Sequence, residues 1–335
     1  MGRSLLSVEN LTKRYPSRSS SEGEVVAVDR VSFELHRGEV VALIGESGSG
    51  KSTIAKILTG VEQLTSGRVL WEDGAVASKA PRLLRQRIQM VFQDPFSSLN
   101  PVNTVGYTLM RPVMNYQRCN GAEAERRVKE LLDQVQLSPA SLYFNKRPFE
   151  LSGGQRQRVV IARALAAKPQ VIVADEPVSM LDVSVRAEIL RLLRSVMGQQ
   201  GVQAMLYITH DLATAEILAD RVLVLYKGRI VEHGTAKSIL RRPMHPYTRL
   251  LLESIPNPRA RRGNRVPVSL RGENREGELR LTGCLFAPRC PLAHDRCWRE
   301  VPPLEARSDE GYVACFNASQ SLVQTGAVTA RDSGA

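Results

Sequence analysis

The chain has 335 residues, with 46 Lys+Arg against 34 Asp+Glu for a formal net charge of +12. At 43% hydrophobic it carries enough apolar residues for one large domain plus an appendage, or for two modest domains. No apolar run approaches the roughly 18 residues that cross a bilayer, and the first ten residues lack the basic and apolar stretches of an export signal. The expectation is a chain that neither spans a membrane nor is secreted.

In chain order, residues 5–15 and 25–35 alternate apolar and polar side chains as edge strands do, with a Ser-rich loop between them. The pattern then changes to short, wholly apolar runs at 40–44, 88–92, 171–174, 205–209 and 222–226, separated by helical stretches. Continuous apolar strands alternating with helices predict a mainly parallel sheet covered on both faces. Residues 95–148 show helical periodicity without such runs and predict an inserted helical subdomain. After Gly234 the composition turns to Pro, Arg and Gly, which reads as a linker before a cysteine-rich segment. Residues 325–335 are small and polar, and are expected to be disordered.

The charge is unevenly spread. Residues 236–282 hold eleven Lys/Arg against four Glu, a surplus of seven out of the net twelve. Such a stretch can face nucleic acid, an anionic membrane surface or plain solvent. The cysteines cluster too: Cys284, Cys290, Cys297 and Cys315 lie together, and Cys119 lies elsewhere without an assigned role. Disulfides are disfavoured in a reducing compartment, so clustered thiols there suggest a metal.

Gly45-Glu46-Ser47-Gly48-Ser49-Gly50-Lys51-Ser52 fits the phosphate-loop pattern G-x-x-x-x-G-K-[ST]. It follows the apolar strand 40–44 and precedes an apolar helix opening at Thr53, which is the context the motif requires. Its glycines let consecutive amide groups turn inward around phosphate oxygens, and the helix N-terminus adds its positive end. Lys51 is expected to reach the outer phosphates and the Ser52 hydroxyl to ligate Mg²⁺. Further on, the run 171–174 ends in Asp175 and Glu176. Two acids at a strand end are usually a helix-capping loop. Downstream of a phosphate loop they suit two tasks instead: Asp175 holds the magnesium shell and Glu176 orients and deprotonates an attacking water.

Leu151-Ser152-Gly153-Gly154-Gln155 opens a helix about twenty residues before the acidic pair and resembles the signature of ATP-binding cassette (ABC) ATPases. Other motifs of that family follow in order. Tyr15 resembles the aromatic that stacks on adenine, and Gln93 the glutamine that bridges magnesium to the helical subdomain. Ser179 and Asp182 resemble the loop between paired cassettes, and His210 the switch histidine. Met180 stands where the family more often has Ala, for which a packing consequence is expected. The resemblance covers about residues 5–260. It implies an α/β fold: a P-loop NTPase cassette with a mainly parallel sheet core, an N-terminal antiparallel β subdomain and an inserted helical subdomain, plus a small cysteine-rich C-terminal extension. The implied bounds are 1–240 for the cassette (helical subdomain about 95–165), 241–320 for the extension and 321–335 for a disordered tail. In the family the signature faces the γ-phosphate held by a partner's phosphate loop, so a second cassette is implied.

Three stretches resemble the ATPases of oligopeptide and dipeptide importers: residues 92–101, 147–150 before the signature, and His245-Pro246-Tyr247-Thr248. The same group includes importers of nickel complexes and of glutathione. Spaced C-x5-C-x6-C-x17-C, the four cysteines suit a [4Fe–4S] cluster or an all-cysteine zinc site. The resemblance implies the [4Fe–4S] cluster; zinc is the rival, with His294 as an alternate ligand. The expected whole is an ATP-hydrolysing motor using ATP and Mg²⁺, with catalytic roles for Glu176 and His210 and transport as the coupled work. Its implied partners are a related second ATPase chain, two permease subunits and an extracytoplasmic binding protein, which places it on the cytoplasmic face of the cell membrane. A nucleic-acid-linked ABC ATPase is the rival that +12 invites. It lacks support because the chain has neither a long coiled-coil insertion nor a second cassette.

Overall fold

In a computed structural model the described residues are 4–16, 23–74, 81–199, 201–253, 282–308 and 311–318. The loop expected at 16–23, most of the basic stretch 236–282 and the tail 321–335 therefore lie wholly or largely outside the described residues.

Strands β1 (Ser4–Pro16) and β2 (Glu24–His36) pair antiparallel, from Ser4 opposite His36 to Pro16 opposite Glu24. On β2, Val31, Phe33 and Leu35 are buried while Ser32 and Glu34 are exposed, the period-two alternation of a sheet with one face on the core. Strand β3 (Val40–Ile44) is instead buried throughout and leads into helix α1 (Lys51–Leu58). Strand β4 (Ser66–Trp71) then adds to the free side of β1, giving a three-stranded sheet in the order β2-β1-β4.

After α2 (Pro81–Arg87) and β5 (Ile88–Val91), the chain builds the helical part: α3 (Pro95–Ser98), α4 (Val105–Gln117), α5 (Gly121–Gln134), α6 (Ala140–Phe144) and α7 (Gly153–Leu165). It returns to the sheet as β6 (Val171–Asp175), α8 (Val183–Ser195), β7 (Ala204–Thr209), α9 (Leu212–Leu218), β8 (Arg221–Tyr226) and β9 (Arg229–Thr235). Strands β8, β3, β7, β6 and β5 run parallel in that order. Along β3, Val40, Ala42 and Ile44 join the core that includes the helical part, while Val41 and Leu43 join the core shared with β1, β2 and β4. Both faces of the sheet are thus covered, as the apolar runs predict.

The stretch after Gly234 differs from the linker expected. It forms α10 (Ala236–Arg241) and α11 (Pro246–Glu253), and further on α12 (Asp295–Arg299). Pro246 is the first residue of α11, where the missing amide hydrogen removes no helical bond. The buried Glu232 carboxylate also ties this region down, accepting from the Met244 and His245 amides at 2.7 and 2.9 Å. Strands β10 (Glu305–Ser308) and β11 (Gly311–Val313) complete the large sheet, with β11 antiparallel to β9. In the cysteine segment Phe286 and Cys290 belong to the same buried cluster as Tyr226 and Tyr247, while Cys315 packs on a small separate cluster of Met244, Val313 and Ala318. Among the described residues no helix is long and apolar enough to cross a membrane.

Candidate functional site

The loop between β3 and α1 is shaped by glycines that nothing larger can replace. Gly45 has a φ of 158°, and a Cβ there would lie 2.3 Å from the Leu225 carbonyl oxygen; Gly50 has a φ of 107°, with the Ala27 carbonyl oxygen 2.4 Å from a Cβ. The loop's Ser47, Gly48 and Ser49 lie between them, and the α1 amides of Lys51, Ser52 and Thr53 follow directly. The Lys51 side chain is folded back and buried, its Nζ donating to the Gly45 carbonyl at 2.7 Å and the Glu46 carbonyl at 2.8 Å. Burial pulls its pKa below the usual lysine value, opposed by the charges of Glu176, Asp175 and Glu46.

At the end of β6, Asp175 is buried, and that burial raises its pKa, helped by the Glu176 charge and opposed by a hydrogen bond from Ser52. A hydroxyl and a carboxylate brought together at a loop of this kind are hard oxygen donors, the set Mg²⁺ takes. Glu176 follows with a φ of 45°, a left-handed conformation rare outside glycine, which its amide stabilises by donating to the Ile208 carbonyl at 2.9 Å. Its carboxylate is gripped from two sides. Gln93 Nε2, just past β5, donates to Oε2 at 3.0 Å, and His210 Nδ1, just past β7, lies 2.9 Å from Oε1. Three parallel strands thus deliver three side chains to one point at their C-terminal ends.

Ser152 caps α7: its hydroxyl accepts from the Gln155 amide at 3.3 Å, and the Gln155 side chain accepts from the Ser152 amide at 3.0 Å. Leu151 is buried beneath it, while Gly153 faces Leu181 just before α8 and Gly154 lies against α8, where a Cβ would come 2.7 Å from Val185. The Ser179 hydroxyl donates to the Glu176 carbonyl at 3.0 Å, and Asp182 occupies the N-cap position of α8 without a side-chain cap bond. Beside it Met180 is 56% exposed, so the bulk anticipated there is displayed on the surface. Tyr15 lies on β1 opposite Val25, with Lys13 Nζ 4.8 Å from its ring centre.

Comparison with known proteins decides the family. Residues 28–179 match the family model for the ABC transporter, and residues 231–297 that for the oligopeptide/dipeptide transporter C-terminal region. The chain is 46% identical over 324 residues to a probable peptide ABC transporter ATP-binding protein of Sinorhizobium fredii, covering 94% of this chain and 90% of that one. With the dipeptide transport ATP-binding protein DppF of Haemophilus influenzae it shares 39% identity over 321 residues, covering 93% and 96%. The fold matches the dimeric post-hydrolysis structure of an ATP-binding cassette bound to ADP and phosphate, at a TM-score of 0.61 and 30% identity, over 69% of this chain and 98% of that one. This chain belongs to the ATP-binding subunits of ABC transporters. It is an ATPase whose hydrolysis is coupled to transport.

In this ABC ATPase, Cys284, Cys290, Cys297 and Cys315 form no disulfide and line one small cavity with His245, Phe286 and Phe316. Burial, with the other cysteines adding, pushes the Cys315 thiol up to about 12, and burial raises Cys284 too. Such thiols stay protonated unless a cation takes the proton's place. Among the described residues no three His, Cys, Asp or Glu side chains stand in an arrangement ready to hold a metal. His294, expected as an alternate ligand, is the N-cap position of α12 and does not line the cavity; His245 does.

Two contacts of the ABC ATPase's phosphate loop escape any reading of its sequence. The Glu46 amide donates to the Tyr247 hydroxyl at 2.9 Å, and the Glu46 carboxylate takes both Arg289 Nη atoms at 2.9 Å. Tyr247 lies in the His-Pro-Tyr-Thr stretch, but a link across 201 or 243 residues leaves no local signal.

Proposed function

We propose that this chain is the ATP-hydrolysing motor of an importer of dipeptides or oligopeptides, working at the cytoplasmic face of the cell membrane beside two permease subunits, a second ATPase chain and an extracytoplasmic binding protein. The observation carrying its chemistry is the Glu176 carboxylate held between Gln93 and His210, next to Lys51 and Asp175. The peptide assignment is supported by the match over residues 231–297 and by the names of the relatives. No nucleic acid is required, since a basic extension beside an anionic leaflet accounts for the charge.

ATP binding begins at the loop 45–52, whose amides donate to phosphate oxygens while Tyr15 stacks on the adenine. Lys51 leaves the Gly45 and Glu46 carbonyls for the β- and γ-phosphates, exchanging neutral acceptors for anionic ones. Ser52, Asp175 and Gln93 would hold Mg²⁺, which neutralises charge on the phosphate oxygens. Glu176 orients a water and takes its proton at Oε1 or Oε2, and His210 donates toward the γ-phosphate. Ser152, Gly153, Gly154 and Gln155 of one cassette complete the ATP site of its partner, with Ser179 and Asp182 at the interface between them. Closure over two nucleotides drives the permeases, and hydrolysis reopens the pair.

For the cysteine segment we propose a [4Fe–4S] cluster, with zinc as the rival. Cys284, Cys290, Cys297 and Cys315, two buried and two partly buried, line one cavity and are the donor set a thiophilic metal would draw together, although their side chains are not already arranged around one. Bound there, the metal would hold the thiolates together and fasten the extension. The transport assignment is tested by uptake of labelled di- and tripeptides in cells with and without an intact chain. Peptide uptake lost on deletion is expected. Unchanged peptide uptake with lost nickel-complex or glutathione uptake would overturn the substrate class.

A further inference from the structure

Glu46 is out of place chemically. It is the second residue of a loop built to bind phosphate, its side chain is 40% exposed, and its charge reaches Lys51. A bare carboxylate here would repel an incoming polyphosphate, most of all where low-dielectric walls leave the charge poorly screened. The structure does not leave it bare. Arg289 meets it with both Nη atoms, each 2.9 Å from one carboxylate oxygen, a forked pair that fixes orientation as well as cancelling charge.

Arg289 is itself well anchored. Only 19% of its side chain is exposed, its guanidinium carbon lies 5.7 Å from the Phe286 ring centre and 5.9 Å from that of Tyr226, and its amide donates to the Phe286 carbonyl at 3.0 Å. Phe286, Tyr226 and Tyr247 pack on one another with ring centres 4.5 to 5.6 Å apart. The same aromatic group holds the Tyr247 hydroxyl that accepts from the Glu46 amide. Tyr247 and Arg289 of the extension, packed with Phe286 against Tyr226 of β8, therefore grip Glu46 by both its main chain and its side chain.

We propose that Arg289 is a positioning residue for nucleotide binding. By pairing with Glu46 it removes a repulsive charge from the phosphate loop and sets the loop's shape, so that the C-terminal extension governs how tightly the cassette holds ATP. This rests on the reading of residues 45–52 as the nucleotide site.

The test is a double-mutant cycle on the full chain, read as the dissociation constant of a fluorescent ATP analogue with Mg²⁺ and as kcat and KM for ATP. Arg289→Met is expected to weaken binding roughly tenfold and to raise KM with little change in kcat, while Arg289→Lys restores part of the loss. In a Glu46→Gln background the same Arg289→Met change is expected to cost less than about twofold, because the charge to be cancelled is gone. Thermal melting of each variant separates this from unfolding. Wild-type affinity in Arg289→Met, or an equal loss with and without the Glu46 carboxylate, would overturn the proposal. Lys51→Ala serves as the control for the site itself: analogue binding that survives it at full strength refutes the nucleotide-site reading, whatever Arg289 does.

Discussion

Glu176 lies 2.9 Å from His210 through its side chain while its backbone is held at a φ of 45°. The unusual backbone turns the carboxylate back across the strand ends, where the residue after β7 can meet it. A relaxed backbone at this position would send the side chain elsewhere, so the conformational cost is coupled to placing an acid beside the phosphate loop.

Glu176→Gln is isosteric and keeps both hydrogen-bonding neighbours within reach. Steady-state ATP turnover is expected to fall at least about 100-fold, with nucleotide affinity kept near wild type. A fall of under about threefold in turnover would remove Glu176 from the chemistry. His210→Ala is expected to fall similarly, and the double variant no further, since the two act as a unit.

Ser152 has two tasks that substitution can separate. Ser152→Ala removes the α7 cap and is expected to cost about 1 kcal/mol in denaturant titration. Ser152→Asp keeps a capping acceptor but adds a negative charge where, on the proposed function, a partner's phosphate would dock. It is expected to melt near wild type while ATPase activity is lost. Full activity in the Asp variant would count against a signature that faces phosphate.

Acid sensitivity follows from His233. It is stacked on Tyr312 of β11 at 4.6 Å between ring centres, next to the buried Glu232 and facing the Arg221 charge from β8. Burial, with Arg221 adding, holds its pKa down at about 4 against an ordinary 6.5. Between those values the unfolded chain binds a proton that the folded chain refuses. Stability is therefore complete above pH 6.5 and falls as pH drops toward 4, by up to about 1.4 kcal/mol per pH unit from this group. Denaturation midpoints at pH 7 and pH 5 should differ less in His233→Gln than in wild type; an identical difference would assign the acid sensitivity elsewhere.

For the cysteine cavity, anaerobic purification is expected to give a broad visible absorption with about four irons per chain. One zinc per chain without colour would decide for the rival metal. Cys315→Ser should lose the metal and melt at a lower temperature; unchanged metal content would exclude Cys315 as a ligand.

The sheet was legible in the sequence because the parallel strands are buried on both faces, so 40–44 and 171–174 stand out as unbroken apolar runs. β4 and β9 did not, because Arg68 and the Glu232-His233 pair interrupt the apolar pattern. Glu232 is buried all the same, its carboxylate satisfied by amides that lie twelve and thirteen residues on. The loop 45–52 and the acids at 175 and 176 were legible because phosphate and metal chemistry demand fixed residue types at fixed spacing. Arg289 was not. An arginine between a proline and a cysteine looks like any solvated charge until folding sets it against Glu46.

The place of β11 has a consequence for synthesis. The strand that flanks β9 comes from residues 311–313, while β9 ends at Thr235. At ribosomal speeds of roughly 5–20 residues per second, β9 waits on the order of ten seconds for the neighbour that covers its open amides and carbonyls. During that interval the nascent chain displays a bare strand edge beside a basic stretch still being made. In that interval another translating copy or a chaperone can reach that edge first.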